Sequence, residues 1–291
     1  MDYKALISNR KSIREFKDTQ IKQEQLVELE KFSDSCKKLV PNIEIEIKLF
    51  DNSRDKVSEK LQKIAGYKGN MIEAPNYIFI LSEVADNHIE NAGYIGESIV
   101  LKATELEIDS CWITFEDSDK ILDKLEISSN KSISAIIALG YEATSYKKKI
   151  VNPTKTGESY SLSNMEIVDN DTSTRLGVEE IVYIDEWGKN IDAETLAERA
   201  LLDAFNYARM APSTLNRQPW RFIVDGGKVI LAVRNDEHTN TYESKIDAGI
   251  VMLFFESIVR TTLFDTSWTL EKTEKTYNIP NDYKYIGYCN I

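Results

Sequence analysis

The segment APSTLNRQPWRF, Ala211–Phe222, places three polar side chains between two prolines. The polar residues are Ser213, Asn216 and Gln218, and the prolines on either side are Pro212 and Pro219. Proline restricts the backbone angle φ, and an amide side chain both donates and accepts hydrogen bonds. The pattern therefore predicts a stiffened turn. Its polar groups either bind a polar molecule or satisfy the local backbone of a turn that leads into a strand.

The composition predicts a folded, acidic protein. The 291 residues are 42% hydrophobic and 29% charged, which is enough apolar material for one large domain or two smaller ones. A net charge of −12 repels nucleic acid and anionic lipid, so we expect neither as a partner. The start, MDYKALISNR, lacks the apolar core of a signal peptide, and the apolar run Ile250–Phe255 is too short to span a membrane. We therefore expect a cytoplasmic protein.

Cysteine and histidine are scarce. The three cysteines are Cys36, Cys111 and Cys289, and the two histidines are His88 and His238. The cysteine count is odd and no two cysteines are close in sequence, which disfavours a disulfide scaffold and a zinc ribbon. We expect no metal site.

The hydrophobic pattern predicts a mixture of helices and strands without strict alternation, which is typical of an α+β fold. Helical periodicity covers Gln25–Lys38, Ala92–Glu107, Ala193–Met210 and Ile246–Phe264. Strand-like runs cover Ile43–Phe50, Tyr77–Leu81, Ile133–Leu139, Trp220–Val224 and Val229–Val233. Gly226 and Gly227, between the last two runs, predict a hairpin turn. The first run, IEIEIKLF, alternates strictly, so we expect one of its faces to be exposed to water.

The two halves of the chain share a pattern. Asn91-Ala92-Gly93 opens a helical segment that leads to Trp112, and Asp247-Ala248-Gly249 opens another that leads to Trp268. From glycine to tryptophan is 19 residues in each case. Each half then ends in a similar strand, ALGY at 138–141 and YIGY at 285–288. The shared order and spacing predict an internal duplication.

A polar segment separates the halves. Residues 146–174 contain three consecutive lysines and a run rich in Ser, Thr and Asn, which is typical of a long connection. We therefore predict a first half at 1–145, a connecting segment at 146–189 and a second half at 190–291.

The segment NRKSIREF, residues 9–16, crowds three cations and a hydroxyl into five positions of an acidic chain. In an extended backbone the side chains of Arg10, Ser12 and Arg14 would point to the same side. Two guanidinium groups and a hydroxyl that converge on one point suit a phosphate. The alternative is a solvated basic patch.

Together, RKSIR in the first half, APSTLNRQPW in the second and the duplicated helix–strand units resemble the nitroreductase family of flavin enzymes. The resemblance covers most of the chain except about 146–174. It implies an α+β, nitroreductase-like fold, internally duplicated as a pseudo-dimer, with central antiparallel or mixed sheets flanked by helices. Each motif occurs once, in opposite halves, which implies one complete FMN site and one lost site per chain.

The resemblance also implies roles for individual residues. The FMN phosphate and ribityl chain are assigned to Arg10, Lys11, Ser12 and Arg14, and the flavin ring and ribityl hydroxyls to Pro212, Ser213, Leu215, Asn216 and Gln218. Arg175, in RLGVEEIVYIDEWG, is a further phosphate candidate, and Lys147, Lys148 and Lys149 compete with it for that role. The backbone N–H that faces flavin N5 is expected near Thr114 or Phe115, although CWITFED lacks the glycine often found there. Tyr67, Lys68 and Asn70 are candidates for ring contacts.

The function that the resemblance implies is that of an FMN-dependent NAD(P)H oxidoreductase with ping-pong kinetics. Hydride from NADPH or NADH would pass through flavin N5 to a nitroaromatic, a quinone or a similar small acceptor, with no catalytic side chain required. Two alternatives stay open: a specialised family reaction such as reductive dehalogenation or flavin supply, and a flavin-binding sensor or interaction protein without turnover. Because a pseudo-dimer completes its own site, we expect a monomer.

Overall fold

A computed structural model of the protein describes residues 1–143, 147–151, 164–168, 173–235, 241–262 and 265–291. The chain divides into two compact units. The first comprises residues 1, 9–148 and 167–171, and the second comprises residues 2–8, 149–166 and 172–291. The N-terminal residues 2–8 therefore belong to the second unit, although they precede the first. The division predicted from the sequence, at 145 and 189, stays a prediction.

The described residues form helices and strands in mixed order. The helices are α1 Tyr3–Asn9, α2 Gln23–Asp34, α3 Asn52–Asp55, α4 Val57–Lys60, α5 His88–Glu105, α6 Ser118–Leu125, α7 Val178–Ile181, α8 Ala193–Glu198, α9 Leu202–Ala208 and α10 Thr241–Thr262, with a short 3-10 helix at Thr214–Asn216. The strands are β1 Ile45–Asp51, β2 Asn76–Ser82, β3 Asp109–Ile113, β4 Ser132–Gly140, β5 Lys147–Val151, β6 Asn164–Val168, β7 Val182–Ile184, β8 Trp220–Asp225, β9 Lys228–Arg234, β10 Trp268–Thr269 and β11 Tyr283–Asn290. No helix among the described residues is both long and apolar enough to cross a membrane.

The sheets of the two units share one topology. In the first unit the strand order is β1-β2-β4-β3, and every pair is antiparallel. In the second unit the order β8-β9-β11-β10 repeats it, and β7 adds a parallel strand beside β8. Strands β5 and β6 form a separate two-stranded sheet. The repeated order confirms the α+β fold and the internal duplication, with one antiparallel and one mixed sheet.

The same hydrogen bond is made in both units between the N-terminal part of the long helix and the loop before the first strand of the repeated order, which is β1 or β8. In the first unit the Asn91 side chain accepts from the backbone N–H of Val40, at 3.0 Å. In the second, Asp247 accepts from the backbone N–H of Thr214, at 3.0 Å. Both accepting side chains are buried, whereas Val40 and Thr214 are half-buried. Because a buried polar side chain without a partner is costly, this bond fixes each loop against its helix.

One local prediction was wrong. The predicted helix Ala193–Met210 is two helices, because Ala200 adopts the left-handed conformation, with φ of 58°, and Leu201 N–H bonds to Leu196 C=O to end α8. No glycine or proline marks this break in the sequence.

The alternation in β1 predicts one face exposed to water, and the polar face is accessible: the side chains of Glu46 and Lys48 are 38% and 31% exposed. The strand lies at the sheet edge, and α2 packs on it.

The hairpin prediction at Gly226 and Gly227 is confirmed. The two residues join β8 and β9, which pair antiparallel with Asp225 opposite Lys228. Gly226 has a φ of 56°, a conformation that glycine adopts without steric cost.

The duplicated tryptophan of the first unit lies against a glycine of α5. A Cβ atom added to Gly96 would lie 2.5 Å from Cη2 of Trp112 and 3.2 Å from Cδ1 of Ile80. Only a residue without a side chain therefore lets the indole ring pack directly on the helix backbone. In the second unit Met252 occupies the matching position, and its backbone C=O accepts a hydrogen bond of 2.9 Å from Trp268 Nε1.

Gly96→Ala should destabilise the protein by about 1–3 kcal/mol, because the new methyl group overpacks the contact with Trp112. The matched control is Gly227→Ala, where the nearest atom to the new Cβ would be Ile291 O at 3.4 Å. Urea unfolding followed by tryptophan fluorescence measures both changes. Equal stability of the two variants would contradict the packing described here.

Candidate functional site

In the first unit, the segment around Ser12 is an extended strand-like piece that pairs with β3. Ser12 forms a parallel bridge with Ser110, and Ile13 N–H donates to Ser110 C=O at 2.9 Å. Further along, Lys17 N–H donates to Tyr141 C=O at 2.8 Å. The backbone at Ser12 and Ile13 therefore pairs as an extended strand does, within the segment whose alternating polar residues predict extended backbone.

The Arg10 side chain contacts two polar groups of the first unit. Its Nη1 donates to Ser12 Oγ at 3.3 Å, and its Nε lies 3.5 Å from Glu97 Oε1. Trp112 Nε1 donates to the other oxygen of the Glu97 carboxylate at 2.7 Å. Burial raises the pKa of Glu97 to about 7, while the Arg10 charge and the Trp112 hydrogen bond oppose the rise.

The other cations of the segment differ in exposure. Lys11 is exposed, whereas Arg14 is half-buried. Burial raises the pKa of the Cys111 thiol, and the positive charges of Arg14 and Arg10 both oppose that rise.

A tight loop of the first unit lies beside the Thr114–Phe115 backbone. Gly66 N–H donates to Thr114 C=O at 2.8 Å, and Ala65 forms an antiparallel bridge with Phe115. Gly66 has a φ of 91°, and a Cβ atom there would lie 2.0 Å from Asn70 O, so the loop requires glycine at this position. Two predicted groups thus lie together: the backbone at 114–115 and the ring-contact candidates Tyr67, Lys68 and Asn70.

In the second unit, the Pro-Ser-x-x-Asn-x-Gln-Pro segment forms a turn that contains three non-glycine residues in the left-handed conformation. Leu215, Asn216 and Gln218 have φ values of 55°, 56° and 51°. Such residues persist only where surrounding contacts hold them. Ser213 Oγ accepts from Gln218 N–H at 2.9 Å across the turn, and Asp247 holds the adjacent N–H of Thr214.

The amide side chains of this turn bind the segment around Arg175. Arg175 Nη1 donates to Asn216 Oδ1 at 2.5 Å, and Asn216 Nδ2 donates to Thr174 C=O at 3.1 Å. Gln218 accepts from Leu176 N–H at 2.8 Å and donates to Thr174 C=O at 3.2 Å. Gln218 is 1% exposed, whereas Asn216 is half-buried.

The structure thus brings together Arg175, Ser213, Asn216 and Gln218 in the second unit, on a turn that also contains Pro212 and Leu215. In the first unit Arg10, Lys11, Ser12 and Arg14 lie on one segment, on which the Arg10 side chain donates to Ser12. The side chains of Lys147, Lys148 and Lys149 lie outside the described residues, as does His238. No cluster of metal-ligating side chains occurs among the described residues.

Two buried charged residues beside the turn were not predicted from the sequence. Arg217 is 1% exposed and donates to Arg234 C=O at 3.3 Å and to Ser244 Oγ at 3.2 Å. Burial raises the pKa of Asp247 to about 7, against the opposing charge of Arg217. The sequence offered one signal for Asp247. It opens the triplet Asp247-Ala248-Gly249, which matches Asn91-Ala92-Gly93 in the other half.

Comparison with known families tests the resemblance directly. The family model described as "Putative TM nitroreductase" matches residues 2–258. The chain belongs to this nitroreductase family. The search of curated proteins gave no match.

Among solved structures, a nitroreductase from Thermotoga maritima has 18% sequence identity and a TM-score of 0.59, and the match covers 100% of this chain and 94% of that one. This likeness shows a shared fold over the full length. An FMN-dependent nitroreductase from Clostridium difficile, at 26% identity and a TM-score of 0.42, matches 51% of this chain and 91% of its own. A nitroreductase from Desulfovibrio desulfuricans in complex with FMN, at 18% identity and a TM-score of 0.43, matches 50% of this chain and 88% of its own.

The raised pKa of Asp247 predicts a dependence of stability on pH. The folded state holds a proton on Asp247 up to about pH 7, whereas the unfolded state releases it near the ordinary aspartate pKa of 3.8. The stabilisation is therefore complete below about pH 4 and is lost as the pH rises to about 7. Asp247→Asn keeps an acceptor for Thr214 N–H, as Asn91 does in the first unit, but cannot titrate.

The free energy of unfolding of the parent minus that of Asp247→Asn should fall between pH 4 and pH 7. Urea unfolding at intervals of half a pH unit measures this difference. A difference that stays constant over this range would contradict the assignment.

Proposed function

We propose that the protein is an FMN-dependent NAD(P)H oxidoreductase of the cytoplasm that acts on a nitroaromatic, a quinone or a similar small acceptor. Membership of the nitroreductase family supports the general class of reaction. The proposal includes FMN as the bound cofactor, NADPH or NADH as the reductant, and a monomeric chain with neither nucleic acid nor membrane as a partner.

The contact between Arg175 and Asn216 carries the proposal. The two residues are 41 positions apart in the sequence. The family resemblance assigns Arg175 to the phosphate of FMN and Asn216 to its ring and ribityl hydroxyls. In the second unit Arg175 Nη1 donates to Asn216 Oδ1 at 2.5 Å. A cation and an amide held side by side suit one ligand with a phosphate and several hydroxyls.

The chemistry of the donor groups fits FMN. The first unit offers guanidinium groups and the Ser12 hydroxyl on one extended segment, in a chain whose net charge is −12. Local positive charge in an acidic protein is suited to a phosphate dianion. The second unit offers the hydroxyl of Ser213 and the amide of Asn216, which can both donate and accept, as the ribityl chain and the flavin edge require.

The residues of the motifs have different roles in this proposal. Arg10, Lys11, Ser12, Arg14 and Arg175 bind the phosphate and the adjacent ribityl oxygens, and Ser213 and Asn216 bind from the turn with Pro212 and Leu215. Gln218 is 1% exposed, and both ends of its amide bond to Thr174 and Leu176. The Asn216 amide is also bonded at both ends, to Arg175 and Thr174, but it is half-buried and so stays accessible to a ligand. We therefore assign Gln218 to holding the Arg175 segment against the turn.

When bound, FMN would supply two-electron hydride transfer between the nicotinamide and the acceptor. The chain itself would bind and orient the reactants. The backbone near Thr114 and Phe115, supported by the loop that begins at Ala65, would donate a hydrogen bond to the flavin ring.

The direct test is the visible absorption spectrum of the purified protein with added FMN, recorded again after NADH or NADPH is added without oxygen. A bound flavin that bleaches is the expected result. A bound flavin that stays yellow with both nicotinamides would contradict the oxidoreductase assignment and favour a flavin-binding protein without turnover. Absence of FMN binding would overturn the proposal.

The double variant Ser12→Ala/Arg14→Ala should weaken FMN binding by about a hundredfold, because it removes two hydrogen bonds to a charged phosphate. The matched control is Ser53→Ala/Arg54→Ala, which removes the same side-chain types from an exposed helix of the same unit. Quenching of FMN fluorescence measures both affinities. An equal FMN affinity in the two double variants would sink the phosphate assignment.

A further inference from the structure

The first unit contains a buried carboxylate that the fold does not explain. The side chain of Glu97 on α5 is 0% exposed and contacts Arg10 Nε at 3.5 Å and Trp112 Nε1 at 2.7 Å. Burial of a carboxylate is costly unless its partners compensate.

The duplicated unit shows that neither the helix nor the tryptophan requires this acid. Glu97 lies four residues after Gly93, and the residue four positions after Gly249 is Leu253. Leu253 is buried on α10, as Glu97 is on α5. Trp268 satisfies its indole N–H with the backbone C=O of Met252, at 2.9 Å. The same helix–tryptophan arrangement is therefore built with leucine at this position.

The buried acid and the cationic segment RKSIR occur in the same half of the chain. Only the first half contains the RKSIR segment, and the second half has no counterpart before its first helix. The remaining partner of Glu97 is Arg10, whose side chain is 7% exposed and whose Nη1 donates to Ser12 Oγ. Arg10 Nε contacts Glu97 as an ion pair without a hydrogen bond, and Nη1 donates to Ser12, so a change of rotamer would break both contacts.

We propose that Glu97 is a positioning residue that holds Arg10 in place for the FMN phosphate. The carboxylate fixes the Nε side of the guanidinium, so that the Nη1 side stays with Ser12 on the phosphate-binding segment. Binding then does not have to immobilise a long, flexible side chain, which makes the bound state more favourable. The inference rests on the proposed FMN function and adds a residue that does not itself touch the cofactor.

Glu97→Gln separates the ion pair from the packing. The amide keeps an oxygen for the Trp112 indole N–H but carries no charge for Arg10. At pH 8, above the Glu97 pKa of about 7, the parent carboxylate is ionised. We expect the FMN dissociation constant to rise about three- to tenfold, the effect of leaving one rotamer-rich side chain unfixed.

Riboflavin, which lacks the phosphate of FMN, is the matched ligand. Its affinity should be the same for the parent and Glu97→Gln, because Glu97 acts through Arg10 on the phosphate. A second test places Glu97→Gln in an Arg10→Ala background, where it should no longer change FMN affinity. Glu97→Leu introduces the residue that the second unit has at the matching position, Leu253. This variant should fold, and its FMN affinity should also be lower than that of the parent.

The outcomes separate this inference from the function on which it rests. Glu97→Gln that binds FMN as tightly as the parent, an equal loss for riboflavin, or an undiminished effect in the Arg10→Ala background would each overturn the role of Glu97. In all three cases the parent still binds FMN and the proposed function stands. A parent that binds neither flavin would overturn the function and the role of Glu97 together.

Discussion

The hydrogen bond between the long helix and the loop before β1 or β8 is the constraint on which each unit depends. Asn91 accepts it from Val40 N–H, and Asp247 accepts it from Thr214 N–H. Because the accepting side chain is buried near the N-terminal end of the helix, the loop cannot shift without taking the partner from a buried oxygen. In the second unit this same bond anchors the turn that holds Asn216. The turn can therefore carry several left-handed residues and still have one defined conformation.

The two units keep the architecture and differ in their polar residues. The strand order is common to both, but the cationic segment with Arg10 occurs only in the first and the amide-bearing turn with Asn216 only in the second. The buried residues of the long helices differ in the same way. Glu97 contacts Arg10 in the first unit, and the apolar Leu253 occupies the matching position in the second. Duplication followed by loss of one motif from each half would leave each motif in one half only, as the sequence has it.

Much of the fold was predictable because its signals are local. Strict spacing between Gly93 and Trp112, repeated in the second half, and glycines in the hairpin at Gly226 mark elements that the structure confirms. The break at Ala200 was not predictable, because a left-handed residue other than glycine is stabilised by its surroundings and leaves no sequence signal. For the candidate site, the motif residues were identified by resemblance. The roles of Arg217 and Asp247 depend on contacts between distant segments, which no single motif contains.

Because each motif occurs once, we propose that the chain binds one FMN although its fold is duplicated. The stoichiometry of FMN binding to the purified chain tests this proposal, by isothermal titration calorimetry with the protein concentration fixed by amino-acid analysis. We expect one FMN per chain with a single binding phase. Two equivalents of FMN per chain would show that each half has a complete site, and would contradict the proposal.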